Sequence, residues 1–139
     1  MKHYLLDASA FMILIKKAAV KTTLECLQDS MVLDLTCYEV GNAIWKESTL
    51  TKLLTPEQSK ALEKVAQTIL IKTDRITNEP DNFQAILEIA KNEKLSFYDS
   101  SYIHFARKAN LKLLTEDKQL KAKAQKHIEV QTTTTLLSP

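Results

Sequence analysis

The chain has 139 residues, of which 45% are hydrophobic and 26% are charged, a composition typical of one globular domain. Nineteen basic and 17 acidic residues give a formal net charge of +2, too close to balance to indicate nucleic-acid binding by itself. The composition argues against a disordered chain. No apolar run approaches the ~20 residues of a membrane-spanning helix, so we expect no membrane partner.

The N-terminal stretch looks superficially like a signal peptide, but Asp7 interrupts its apolar run. Cys26 and Cys37 lie eleven residues apart without a C-x-x-C pair, which argues against a disulfide framework or a zinc site. We therefore expect two reduced, buried thiols in a cytoplasmic protein.

Short apolar or β-branched runs alternate with helical patterns along the chain. We predict strands over residues 3–6, 31–35, 69–72 and 111–115, with residues 128–130 as a candidate fifth. This alternation predicts an α/β fold: a mainly parallel sheet of four or five strands in a three-layer α/β/α arrangement. We expect one domain over residues 1–139, in which residues 131–139 form either a tail or an edge strand.

Three helices have clear signals. Thr55 is a predicted N-cap, with proline next and Gln58 three residues later, the pattern of a capping box. Apolar residues recur at helical spacing over residues 83–90 and again over 102–109. Asn110 then predicts a left-handed C-cap before the next strand.

Gly41 is the only glycine in the chain. Dinucleotide-binding and P-loop motifs need several glycines, because the backbone must approach phosphate closely. The lack of glycine also removes a G-x-S-x-G nucleophile elbow. These classes of enzyme are therefore excluded.

Four acidic residues follow the predicted strands or open helices. Asp7, Glu39 and Asp117 come just after the first, second and fourth strands, at the carboxyl edge where parallel sheets bind ligands. Asp99 opens a helix in which apolar residues follow at three, four and seven positions, so its side chain should lie on the buried face. We expect the four acids to converge.

Each acid also has a simpler explanation as a helix cap. Aspartate favours N-caps, and residues 36–39 read as a capping box in which Glu39 would be the N3 glutamate. Four acids together would repel one another and raise their pKa values unless a cation lay among them. Mg²⁺ or Mn²⁺, which prefer oxygen ligands, would fit such a site.

These acids and their neighbours resemble the PIN-domain nucleases, most closely the VapC-type toxins. The resemblance extends from Lys2 to about Val130. The matching motifs are Asp7-Ala8-Ser9, Glu39-Val40-Gly41-Asn42, Phe97-Tyr98-Asp99-Ser100-Ser101-Tyr102 and Thr115-Glu116-Asp117.

The resemblance implies a PIN-like fold and an endoribonuclease whose acids hold Mg²⁺ or Mn²⁺, with a metal-activated water attacking an RNA phosphodiester. It also implies a homodimer and an inhibitory antitoxin protein. Either Glu116 or Asp117 could be the fourth ligand, and the T-x-D pattern favours Asp117.

We assign Asp7, Asp99 and Asp117 to the metal, with Glu39 either ligating or holding a metal-bound water. Ser9, Asn42 and Thr115 are assigned as donors that orient the carboxylates. Three alternatives are weighed against this. A PIN-like module without activity would bind RNA or protein. A haloacid-dehalogenase-like phosphatase requires an aspartate where this chain has Ser9, and a response-regulator receiver requires an acidic pair near the first strand, which is missing.

Overall fold

A five-stranded parallel sheet forms the centre of the protein in a computed structural model, which describes residues 1–137. The strands are β1 Tyr4–Leu6, β2 Ser30–Leu33, β3 Asp74–Ile76, β4 Lys112–Leu114 and β5 Val130–Gln131. Their order in the sheet is β3-β2-β1-β4-β5, and every neighbouring pair is parallel. The chain therefore winds outward from β1 in both directions, as in doubly wound folds.

Helices cover both faces of this sheet. They are α1 Ala8–Lys17, α2 Val20–Cys26, α3 Asp34–Trp45, α4 Pro56–Lys72, α5 Phe83–Glu93, α6 Phe97–Lys108, α7 Lys118–Ala124 and α8 Thr134–Leu137. A π-helical turn over Lys46–Leu50 extends α3, and 3₁₀ turns lie at Leu27–Asp29 and Pro80–Asn82. The predicted three-layer α/β/α fold is confirmed.

Strand residues alternate between the two layers, because successive side chains point to opposite faces of a sheet. Leu6 and Leu114 pack in the core formed with α1, α3 and α4, whereas Leu5 and Leu113 pack in the core formed with α5, α6 and α7. All four leucines are fully buried. The central strands are thus apolar on both faces, which is what a covered parallel sheet requires.

Two local features predicted for the helix ends, the Thr55 capping box and the left-handed Asn110, are present in the structure. The Thr55 hydroxyl accepts a hydrogen bond from the Gln58 amide at 3.1 Å, and the Gln58 side chain accepts one from the Thr55 amide at 3.0 Å. Asn110 has a φ of 56°, the left-handed conformation expected directly after α6.

The predicted strand over residues 69–72 is wrong. These residues form the last turn of α4, in which Ile69 and Leu70 are buried beside Leu62 and Ala66 at helical spacing. The strand that follows is β3, at the edge of the sheet, where Asp74 and two further residues are exposed or only half-buried. An edge strand needs no apolar run, so the sequence pattern did not reveal it.

The C-terminal segment is not a free tail over its described part. Gln131 belongs to β5, and α8 places Leu136 and Leu137 against the core around α1. Ser138 and Pro139, which the tail prediction also included, lie outside the described residues.

The two cysteines are unpaired. Cys26 is half-buried, but Cys37 is exposed, so the expectation of a second buried thiol is wrong. No helix within residues 1–137 is long and apolar enough to cross a bilayer.

Candidate active site

The carboxyl ends of β1 and β4 lie side by side at the centre of the sheet. Leu6 pairs with Leu114, and the Asp7 amide donates to the Leu114 carbonyl at 3.2 Å. From β1 the chain crosses to β2 on one side, while β4 lies on the other. This is the switch point of a doubly wound sheet, where a crevice opens for ligands.

Asp7 is held at this point by three hydrogen bonds. Its Oδ1 accepts from the Ser9 hydroxyl at 2.7 Å and, as the N-cap of α1, from the Ala10 amide at 2.9 Å. Its Oδ2 accepts a short hydrogen bond from the Thr115 hydroxyl. With 5% of its surface exposed, the Asp7 carboxylate has a fixed orientation.

Glu39 is not part of a capping box. Helix α3 begins at Asp34, three residues earlier than the capping interpretation requires, and the Thr36 hydroxyl accepts from the Leu33 amide at 3.0 Å. Thr36 is therefore the N3 residue, and Glu39 lies in the second turn. Its carboxylate is half-buried and available to the site.

Asp99 also does not cap its helix. Ser96 is the N-cap of α6, and its hydroxyl accepts from the Asp99 amide at 3.0 Å. Within residues 1–137, no hydrogen bond reaches the Asp99 carboxylate, which is half-buried. The oxygen atoms of this side chain are therefore free for a ligand.

Asp117 both caps a helix and faces the other acids. Its Oδ1 accepts from the Gln119 and Leu120 amides at 2.9 and 3.0 Å. Glu116, the alternative ligand, turns away, and its Oε2 accepts from the Thr133 amide at 3.0 Å. The geometry therefore favours Asp117 over Glu116.

The four acids act on one another electrostatically. Burial raises the pKa of Asp7, and the nearby Asp117 charge raises it further, while its three hydrogen bonds oppose the shift. Burial raises the pKa of Glu39, with added repulsion from Asp99 and Asp7. Burial and the Asp117 charge raise the pKa of Asp99. The acids expected to converge are thus close enough to repel, and a cation among them would relieve that cost.

Tyr102, which the sequence places in an apolar stripe and in the Asp99 motif but to which it assigns no role, contacts one of the four acids. It is fully buried, and its hydroxyl donates to Glu39 Oε1 at 2.7 Å. The same hydroxyl lies 2.7 Å from the Thr36 hydroxyl, which already accepts from the Leu33 amide. Because the only proton of the Tyr102 hydroxyl is directed to Glu39, Thr36 must donate to Tyr102, so the chain of hydrogen bonds has one direction and ends at Glu39.

This chain joins α3 to α6 across the end of the sheet. A buried tyrosine needs a partner for its hydroxyl, and Tyr102 lies one turn after Asp99 on the same helix. A tyrosine in an apolar stripe, one turn after a candidate ligand, was therefore the signal in the sequence for this contact. Burial and the Glu39 charge raise the pKa of Tyr102 far above its usual value, so it remains a donor at all ordinary pH values.

The residues expected to orient carboxylates divide into two groups. Ser9 and Thr115 both donate to Asp7, and their own oxygens accept from the Glu116 and Asp117 amides at 2.9 and 3.0 Å. Asn42 differs: it is exposed, and in the described part of the chain it donates to none of the four acids. The role assigned to Asn42 therefore has no support from a hydrogen bond in this part of the chain and stays a prediction.

The donor set suits a hard divalent cation. No three aspartate, glutamate, histidine or cysteine side chains within residues 1–137 form a ready-made ligand set for one ion. Mg²⁺ does not need one, since in phosphate chemistry one or two carboxylates hold it while water and substrate oxygens complete the shell. Asp99 and Asp117 each offer an oxygen without a hydrogen bond, next to Asp7.

The fold is a doubly wound α/β domain, and its switch point carries carboxylates that repel one another. Proteins with this fold and such a site form a class whose acidic sites depend on a cation. The chain belongs to the PIN domain family, whose sequence model matches residues 4–126. Exonuclease VapC9 of Pyrobaculum aerophilum is 35% identical over 130 residues, covering 94% of this chain and 92% of that protein. Ribonuclease VapC3 of the same organism is 31% identical over 96 residues, covering 69% and 72%.

Solved structures agree with this assignment. The crystal structure of PAE2754 from Pyrobaculum aerophilum matches with a TM-score of 0.82 and 30% identity, covering 98% of this chain and 94% of that one. FitAcB from Neisseria gonorrhoeae shares the fold, with a TM-score of 0.63 at 18% identity over 94% and 97% of the two chains. The predicted resemblance to PIN-domain proteins of the VapC type is confirmed.

Proposed function

We propose that this protein is a divalent-metal-dependent ribonuclease of the VapC type that hydrolyses RNA phosphodiester bonds and acts as the toxin of a toxin–antitoxin pair. The observation that carries the proposal is the convergence of Asp7, Glu39, Asp99 and Asp117 at the switch point. The names of the two relatives, an exonuclease and a ribonuclease, support phosphodiester hydrolysis.

The carboxylates differ in how firmly hydrogen bonds hold them, and we assign them different roles. Asp7 is fixed by Ser9, Ala10 and Thr115, and so provides an immobile oxygen next to the crevice. Asp99 has no competing hydrogen bond within the described residues and is the acid most available for direct ligation. A bound divalent ion supplies a water of lowered pKa and offsets the charge that develops on the phosphate.

Glu39 has a different role in this proposal. Its Oε1 is occupied by the Tyr102 hydroxyl, so its Oε2 remains to hold and orient a water molecule or to ligate the ion. No serine, cysteine or histidine nucleophile is needed, since water is the attacking group. We infer that Mg²⁺ or Mn²⁺ is the ion, because all donors are oxygens.

We also propose that the protein forms a homodimer, is inhibited by an antitoxin protein, and works in the cytoplasm. Large apolar side chains are exposed at the end of α3 and just beyond it, namely Trp45, Leu50 and Leu53, as partner-binding surfaces require. The exposed unpaired thiol of Cys37 suits a reducing compartment.

The direct test is cleavage of a single-stranded RNA with Mg²⁺ or Mn²⁺, with and without a chelator. Asp7→Asn should abolish cleavage, while Asp29→Asn, which changes an acid at the opposite end of β2, is the matched control and should cleave like the parent. Cleavage by Asp7→Asn at the parental rate would contradict the assigned site.

Two further measurements test the remaining parts. A closed circular RNA is cut only by an endonuclease, so it separates internal from terminal cleavage. Growth arrest on expression, relieved by coexpression of a neighbouring gene's product, tests the toxin role, and light scattering of the purified protein tests the dimer. The inactive binding module considered above predicts no cleavage in any of these assays, and no observation in the structure favours it.

A further inference from the structure

A cavity of about 250 Å³ is lined by residues of α3 and α6, the two helices that carry Glu39 and Asp99. Its lining includes Asp34, Tyr38, Asn78 and Tyr98. Tyr38 directly precedes Glu39 on α3, and Tyr98 directly precedes Asp99 on α6. Because the Tyr102–Glu39 hydrogen bond holds these helices together, the cavity has a fixed position relative to the acids.

The two tyrosines of this cavity are unusually open to solvent. Tyr38 is 79% exposed and Tyr98 is 61% exposed, whereas Tyr102, on the same helix as Tyr98, is fully buried. Aromatic side chains normally bury a large part of their surface. Two exposed rings that line one cavity therefore have unused stacking faces.

The polar atoms of the cavity are also incompletely paired. Within residues 1–137, the Asn78 Oδ1 atom is buried and has no hydrogen-bond partner. The Asn78 amide donates to Asp34 Oδ2 at 3.3 Å, and Asp34 Oδ1 accepts from the Leu35 amide at 2.9 Å. A buried amide oxygen without a partner is costly, so a ligand that donates a hydrogen bond to it would be stabilised.

A second cavity of about 540 Å³ continues from the first. It shares Asp34 and Tyr38 and adds Cys37, Arg75 and Thr77. Arg75 is exposed and forms no ion pair with any described residue. An unpaired guanidinium in this second cavity is suited to bind a phosphate group.

We propose that the first cavity is a nucleobase-binding subsite, in which Tyr38 and Tyr98 stack on an unpaired base of the RNA next to the bond that is cut. This inference rests on the proposed nuclease function. Single-stranded RNA is recognised by aromatic stacking combined with hydrogen bonds to base edges. Asn78 Oδ1 and Asp34 are acceptors, so the subsite suits the exocyclic amino group of adenine or cytosine, which has two donor hydrogens, better than uracil, which donates only through its N3–H. Arg75 contacts the phosphate on the far side of Tyr38.

The test measures RNA binding and RNA cleavage separately. Binding of short fluorescent single-stranded RNAs is measured by anisotropy in the Asp7→Asn background, which is not expected to cut them. Tyr38→Ala and Tyr98→Ala should each raise Kd about 5- to 100-fold, the range measured for loss of a stacked base. Tyr38→Phe and Tyr98→Phe keep the ring and should stay within about twofold of the background.

Ile71→Ala is the matched control, since it removes a large side chain on α4 that is 68% exposed and does not line either cavity. It should leave the Kd unchanged. Oligo(A) and oligo(C) should bind more tightly than oligo(U) of the same length, and Asn78→Ala should reduce that difference.

The outcomes separate this inference from the proposed function. If the parent cuts RNA but the tyrosine-to-alanine variants bind RNA as tightly as the background, the subsite is wrong and the nuclease stands. If the parent does not cut RNA, the proposed function fails, and the binding assay still decides whether the tyrosines contact RNA. If the alanine variants change the oligomeric state in light scattering without changing Kd, the surface is a protein interface and the subsite is overturned. Equal binding of oligo(U) and oligo(A) would overturn the hydrogen-bond preference.

Discussion

Substitution Tyr102→Phe tests whether the buried hydrogen-bond chain positions Glu39. The change removes one hydroxyl that makes two hydrogen bonds of 2.7 Å. A hydrogen bond to a charged group contributes about 1.5–3 kcal/mol. Glu39 is only half-buried and regains some water, whereas the Thr36 hydroxyl, fully buried, loses its acceptor. We expect a net loss of about 2 kcal/mol, since phenylalanine also avoids burying a hydroxyl.

For a domain of this size, that loss lowers the thermal midpoint by about 6–8 °C. The effect on catalysis should be separate. A misdirected Glu39 should lower kcat/KM for RNA cleavage by about 10- to 100-fold, with part of the loss recovered at high Mg²⁺. Because the Tyr102 hydrogen bond lowers the pKa of Glu39, its removal should also shift the acidic limb of the pH–rate profile to higher pH.

The assays are thermal unfolding and steady-state cleavage as a function of Mg²⁺ and pH. Tyr98→Phe is the control, because it removes an exposed hydroxyl from the same helix. Thr36→Val is the informative companion: it breaks the chain before Tyr102 and leaves the bond to Glu39 in place. If Tyr102→Phe lost stability but kept the parental kcat/KM and pH profile, Tyr102 would be structural only.

Three further predictions follow from the electrostatics of the acids. Asp99→Asn removes a repelling charge without breaking a hydrogen bond, so its metal-free thermal midpoint should exceed the parent's while RNA cleavage is lost; a lower midpoint would refute the repulsion. Asp7, Glu39 and Asp99 have raised pKa values, so the folded protein binds their protons more tightly than the unfolded chain does. In the presence of a chelator, the contribution of these groups to the free energy of unfolding should be greatest below about pH 4 and should fall as the pH rises through their pKa values in the folded protein. Mg²⁺ at neutral pH should reverse this loss. A contribution that rises over that range would contradict the prediction. Asp117→Asn keeps the helix cap and should lower cleavage at least tenfold, whereas Glu116→Gln should cleave like the parent; the reverse order would make Glu116 the ligand.

Local sequence patterns failed where tertiary packing decided the structure. The run Ile69-Leu70-Ile71 is apolar enough for a strand, but Ile69 and Leu70 complete the buried face of α4 and Ile71 is exposed. Thr36 and Glu39 have the spacing of a capping box, but α3 starts at Asp34, so the pattern is out of register with the helix. In both places a periodic signal over a few residues was outweighed by the position of the whole element against the sheet.

The sequence by itself determined the α/β class, because strands and helices alternate and the central strands are apolar on both faces. It also predicted that Asp7, Glu39 and Asp117 lie near one another, since the carboxyl ends of parallel strands must lie at one edge. Only the tertiary structure decided how each acid is held. The Tyr102–Glu39 bond joins residues 63 positions apart, and the Thr115–Asp7 bond joins residues 108 positions apart. Such contacts depend on the packing of two helical layers across one sheet, which no local pattern encodes.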